Sequence, residues 1–197
     1  MYKSILLIGL LSVLSGFNNS DNKVVWVVLQ GSSLSVNGST NINTFQCDIA
    51  NYNRLDTIVC VRNKLKGLAV PMNGNLNLSI EAFDCHNRLM TSDLRKTLKY
   101  KDYPILTIKF ISIDGFPDFK TPNRITGLVD IALAGISKRF EINYLFTTEN
   151  NTQVLLKGNQ NIHFSDFNLI APSKLGGVIK AKDELKVEFK LNLKSIS

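Results

Sequence analysis

Glu184-Leu185-Lys186-Val187-Glu188-Phe189-Lys190-Leu191-Asn192-Leu193-Lys194 is the stretch that decides the fold. Leu185, Val187, Phe189, Leu191 and Leu193 are apolar, and a polar residue stands between each and the next. Successive side chains of an extended chain point to opposite faces, so this spacing puts hydrocarbon on one side and charge on the other. On a helix the same residues would scatter around the axis. The segment is predicted to be a strand with one buried face and one wet face.

Working outward, the same period of two recurs. Leu76, Leu78, Ile80 and Ala82 alternate with polar residues; Phe140, Ile142, Tyr144 and Phe146 do so with Leu145 as the exception, and Val129, Ile131 and Leu133 face one way while Asp130 faces the other. Ile105 to Ile113 is apolar apart from Thr107, Lys109 and Ser112, as expected of a strand covered on both faces. Lys23–Leu29, Ser33–Val36, Asn41–Ile49 and Thr57–Val61 are further strand candidates. Asn37-Gly38, Asn73-Gly74, Asp114-Gly115 and Gly176-Gly177 read as turns, Asp114–Asn123 as a long exposed loop, and Glu149–Asn151 as a hairpin tip. One helix is expected, from Ser92 to about Tyr100, with Ser92 as its cap, Leu94 and Leu98 on one face, and Pro104 forbidding continuation. Many short strands and one helix make an all-β domain, and a barrel removes the exposed edges that a flat sheet would carry.

The chain has 197 residues, 44% of them hydrophobic and 20% charged, with five prolines and twelve glycines. Disordered and low-complexity classes are excluded by that composition. The formal net charge of +7 is a basic surplus too small to choose a partner. Residues 1–20 form a separate object: Lys3, an apolar run from Ile5 to Leu14, then Ser15 and Gly16 before a polar stretch. That layout predicts a secretory signal peptide removed on export, leaving residues 21–197 as a single domain in the periplasm or outside the cell. The apolar run is too short to span about 30 Å of hydrocarbon.

Export changes how Cys47, Cys60 and Cys85 are read. One bridge at most can form within the chain. Cys47 and Cys85 share similar surroundings, Phe45-Gln46-Cys47-Asp48 and Phe83-Asp84-Cys85-His86 with an acidic residue beside each, and are the preferred pair. Cys60, in Ile58-Val59-Cys60-Val61, reads as a buried strand thiol. No cysteine or histidine spacing suits a metal, and no nucleophile elbow or phosphate-binding glycine loop occurs, so no cofactor is expected. His86 and His163 are the residues on which a catalytic reading would have to rest. Arg95, Lys96, Lys99 and Lys101 form a solvated helix face without the aromatic pair of a nucleic-acid reader, so no nucleic-acid partner is expected. Asp166, beside Phe167, reads as the brace of a turn.

Met90-Thr91-Ser92-Asp93-Leu94, Leu98-Lys99-Tyr100, Tyr103-Pro104 and Ile108-Lys109-Phe110 follow in an order that resembles the YceI-like family. The segment from Ile125 to Lys138 is similar to that family's strand-turn-strand, Phe164-Ser165-Asp166-Phe167 to its "d-F" element, and Leu185–Leu193 to its last strand. The resemblance covers residues 76–194. Val24–Val70 matches poorly, and His163-Phe164-Ser165 stands where the family carries an arginine. The resemblance implies an extended antiparallel lipocalin-like barrel of about eight strands. It also implies a periplasmic binder of polyisoprenoid lipid in an apolar tunnel. On that reading the inward positions Ile108, Phe110, Val129, Ile131, Phe140, Ile142, Tyr144, Val187, Phe189 and Leu191 would line the tunnel.

The same alternating faces are explained by a filled core. A second reading is therefore an envelope interaction or stress protein with a packed barrel, docking its basic surface on an acidic membrane or glycan.

Overall fold

The structure, a computed structural model, describes residues 23–61, 68–119, 122–148 and 152–196. The expected leader at residues 1–20 and the hairpin tip at Glu149–Asn151 lie outside them. The described residues form eleven strands: β1 (Lys23–Val28), β2 (Ser32–Thr40), β3 (Thr44–Tyr52), β4 (Thr57–Val61), β5 (Val70–Ser79), β6 (Ile105–Ile113), β7 (Asn123–Leu133), β8 (Ile136–Thr148), β9 (Gln153–His163), β10 (Ser173–Lys174) and β11 (Ile179–Ser195). The single α-helix among the described residues, α1, is Arg88–Thr97.

All pairings are antiparallel, and they close on themselves. From β4 the ladder runs through β5, β6, β7, β8 and β9 to β11, and β1 then pairs with both β11 and β4. The result is a closed eight-stranded barrel, which leaves no edge on that circuit. Of the 17 residues of β11, the first two pair with β10; the strand pairs with β9 along one edge, and along the other with β2 through Ala181–Lys190 and then with β1 through Leu193–Ser195. Because both are antiparallel to β11, β1 and β2 run end to end as one bent strand. Gly31, at φ +79°, makes the bend. The buried Ser32 hydroxyl bridges it, donating to the Leu29 carbonyl at 2.7 Å and accepting from the Asn192 amide at 3.0 Å.

β3 and β4 are likewise two halves of one strand facing that bent strand. Cys60 pairs with Met72, and far along the chain Asp48 pairs with Asp84 in the same register. Between these points the Tyr52 hydroxyl fills the gap, donating to Asp56 and accepting from the Asn77 amide at 3.1 Å. A disulfide joins Cys47 of β3 to Cys85, just beyond this second contact, and Cys60 is a buried free thiol.

Several sequence expectations are corrected. The helix begins four residues before Ser92, because Asn87 caps it: its side-chain oxygen accepts from the amides of Leu89 and Met90 at 3.0 and 3.1 Å. It ends before Tyr100, because Lys99 turns left-handed at φ +55°. Asn37-Gly38 and Asn73-Gly74 lie inside β2 and β5 and are not turns. Their glycines admit close neighbours, the Phe45 ring over Gly38 and the Thr57 carbonyl against Gly74. The segment after Asp114 is no simple exposed loop. Pro117 is buried, and Phe116 and Phe119 pack on the core.

Candidate functional site

The barrel interior has two unlike halves. At the β1 end, Trp26 is fully buried, with ring centroids of Phe116, Phe119 and Phe146 at 6.2, 6.3 and 5.9 Å. Tyr144 continues this stack, 6.2 Å from Phe146 and 5.9 Å edge-on from Phe189. Two glycines make room for it. A side chain at Gly158, which lies between Tyr144 and Phe189 across three strands, would strike the Phe189 ring, and one at Gly127 would strike Tyr144. These rings pack on one another through this half of the barrel; an open pocket of about 630 Å³, lined mostly by polar residues such as Ser33, Ser35, Asn143, Lys157, Asn159 and Glu188, also touches Tyr144, Gly158 and Phe189.

At the opposite end an enclosed cavity of about 50 Å³ remains. Its walls are wholly apolar. β2 supplies Leu34 and Val36, β6 Leu106 and Ile108, β7 Ile131 and Leu133, β9 Ile162, and β11 Leu185 and Val187; Phe83 and the α1 residues Leu94 and Leu98 complete it. Leu94 is also a wall of a second pocket of about 220 Å³, which opens to solvent between α1, the β2–β3 hairpin and the β10–β11 hairpin. Ile42, Phe45, Leu89, Met90, Phe164, Pro172, Ile179 and Ala181 make this mouth predominantly apolar. Leu94 thus stands as the partition between inside and outside.

The mouth is tied at several points. Lys174 of β10 reaches across to Asp93 of α1, 2.5 Å away. Arg95 fastens the helix to the barrel rim through the carbonyls of Glu81 and Phe83. The Cys47–Cys85 bridge lies at the mouth, with Cys47 in its wall. Beside the bridge, burial pushes the Asp48 carboxyl up, but hydrogen bonds from Gln46, His86 and Ser35 outweigh this and hold it below the usual range. Asp166 accepts from the His163 amide at 2.7 Å and pairs with Lys138, bracing the turn that carries Phe167 and the mouth residue Phe164.

Of the ten positions expected to line a tunnel, Ile108, Ile131 and Val187 are walls of the enclosed cavity. Phe110, Val129, Phe140, Ile142, Tyr144, Phe189 and Leu191 belong to the same core but stand elsewhere in it. The residues that shape the mouth were not singled out from sequence, although the shared face of Leu94 and Leu98 was the available signal. Cys85 is disulfide-bonded, and the His86 ring meets the Asp48 carboxylate at 3.0 Å. Among the described residues no group of three or more His, Cys, Asp and Glu is placed to hold a metal.

No family model matches the sequence, and no curated protein matches it. Solved structures do. Burkholderia cenocepacia BcnA is similar at 14% identity over 82% of this chain and 95% of that one, with a TM-score of 0.62. A Saccharophagus degradans polyisoprenoid-binding domain, described as implicated in plant cell wall breakdown, is similar at 12% identity over 86% and 97%, with a TM-score of 0.57. A variant YceI protein of Campylobacter jejuni is similar at 13% identity over 68% and 78%, with a TM-score of 0.50. Closed antiparallel barrel, single helix and structural likeness agree: this chain has the YceI-like, lipocalin-type fold.

Proposed function

We propose that this protein is an exported, non-catalytic binder of one long apolar molecule, a polyisoprenoid or another lipid chain, taken in beside α1 and housed in the aliphatic half of the barrel. The observation that carries the reading is the pair of apolar spaces separated by Leu94. The walls of the enclosed cavity carry no polar group and give water no partner, whereas each methylene moved out of water gains about 0.8 kcal/mol. The mouth pocket exceeds the roughly 150 Å³ cavity that admits benzene, yet falls short of the roughly 300–1,000 Å³ usual for ligand sites. Uptake of a long chain therefore requires the apolar face of α1 to swing aside, joining the two spaces into one. The cavity walls contain no acid, base or nucleophile, so they suit binding and not catalysis. The described binding role of the Saccharophagus domain supports the same ligand class, and the disulfide suits an oxidising compartment.

The filled aromatic half favours a second reading, a packed barrel acting through its surface. Native mass spectrometry of the full chain after incubation with a polyprenol in detergent separates the two. One lipid per chain is expected, and uptake should be lost in Ile131→Phe, whose ring fills the cavity. Apo mass alone across polyprenol and fatty-acyl probes would overturn the proposal.

A further inference from the structure

We infer that the mouth is also a docking face for an anionic lipid bilayer, the surface from which the apolar chain is drawn; this deepens the uptake route above and rests on it. Large hydrophobic side chains at this end of the barrel point into solvent. Ile42 at the β2–β3 tip is 66% exposed, Leu89 in the first turn of α1 69%, Val178 at the β10–β11 tip 69%, and Ile170, two residues before Pro172, 90%. Ile42 and Leu89 line the mouth pocket, and Val178 and Ile170 stand one and two residues from its walls Ile179 and Pro172. The Asn41 side chain fixes two of the tips together, donating to the Val178 carbonyl at 2.9 Å and accepting from the Lys180 amide at 3.0 Å. Scattered single hydrophobes on a surface need no explanation, but a ring of them around an apolar opening does.

The charges at the rim select the partner. Arg88 stands beside Leu89, and Lys180 follows Val178, both exposed, while the carboxylate at the mouth, Asp93, is held by Lys174. Apolar tips flanked by cations match an interface of acyl chains beneath anionic headgroups. Such a contact places the opening against hydrocarbon, so a lipid chain passes between bilayer and barrel without crossing water.

The test is flotation of the full chain with phosphatidylglycerol vesicles and, separately, with phosphatidylcholine vesicles. Binding to the anionic vesicles is expected, weakening with added salt. The double variant Ile170→Asp, Val178→Asp, whose side chains lie outside the pocket walls, should bind those vesicles about tenfold less tightly. The variant should still take up polyprenol from detergent, which separates failure of docking from failure of ligand binding. Absence of wild-type flotation, or equal flotation of the variant, overturns the inference. So does light scattering that shows a wild-type dimer dissociated by the variant, because a second copy would then be what covers the face.

Discussion

The two halves of the barrel interior are built from the same strands and closed by the same ladder, yet one is full and the other is not. The full half is aromatic. Trp26, Phe116, Phe119, Phe146, Tyr144 and Phe189 lean on one another at angles that let flat rings tile a tapering space. The other half is aliphatic, with branched side chains projecting from the barrel wall and from α1, and their tips do not meet. The filled half also has an outer cover in Phe116 and Phe119. The hollow half has a helix, tied by an ion pair, two carbonyl contacts from Arg95 and the Thr91 hydroxyl, which accepts from the Cys85 amide and donates to Asp84; none of these ties belongs to a strand ladder of the barrel. Stability is concentrated in one half, and room for a guest in the other.

The largest expected effect tests that division directly. Trp26→Ala removes a fully buried ring from the centre of a packed cluster and should cost about 3–5 kcal/mol in denaturant unfolding. Leu106→Ala removes a side chain that already borders empty space, so fewer contacts are lost and the cost should lie near the low end of the roughly 2–5 kcal/mol range. Cys60 provides an independent reading at the Trp26 end. Burial pushes its thiol pKa up to about 12, so it should resist alkylation in the native wild type and react faster in Trp26→Ala. Equal costs for the two substitutions would erase the distinction between the halves.

How much of this was legible in the sequence follows from the range of the interactions. Leu185 to Leu193 announces its strand because burial on one face imposes a period of two on neighbouring residues. The bounds of β4 and β6 were also read correctly, but β6, expected to be covered on both faces, buries only one and leaves Ile105 and Lys109 exposed. The stretch through Gly158 was not among the expected strands; the ring that packs on its glycine is Phe189, thirty-one positions on. Gly38 and Gly74, inside strands, were read as turns. Phe116 and Phe119 looked like loop residues because Trp26, ninety positions or more earlier, is what buries them. The mouth is harder still to read. Its walls come from five places in the chain, and only the closure of the barrel brings them together.

A smaller effect on stability, but a revealing one on binding, is expected at the partition. Leu94→Ala should cost about 2 kcal/mol, because it empties a site already flanked by two cavities. It should also merge those cavities, so that an alkyl probe raises the melting temperature of the variant by more than that of the wild type. Thermal unfolding with and without the probe measures both terms. A variant no more responsive than wild type would mean that Leu94 does not gate the interior.

The smallest effect belongs to the filled half and concerns its one discordant atom. The Tyr144 hydroxyl is buried among rings, with no hydrogen-bond partner among the described residues. Burial, with a smaller contribution from nearby Cys60, pushes its pKa upward, so it stays protonated through the working pH range. An unpaired buried hydroxyl carries its desolvation cost without return, whereas an apolar group of the same shape does not. Tyr144→Phe should therefore stabilise the barrel by about 1 kcal/mol, read from the denaturant midpoint at unchanged slope. Lipid uptake should be unaltered, because the ring and its contact with Phe189 remain and the hydroxyl is remote from the cavity walls. Loss of uptake in this variant would put the ligand's polar end in the aromatic half, and the separation between a filled end and a receiving end would no longer hold.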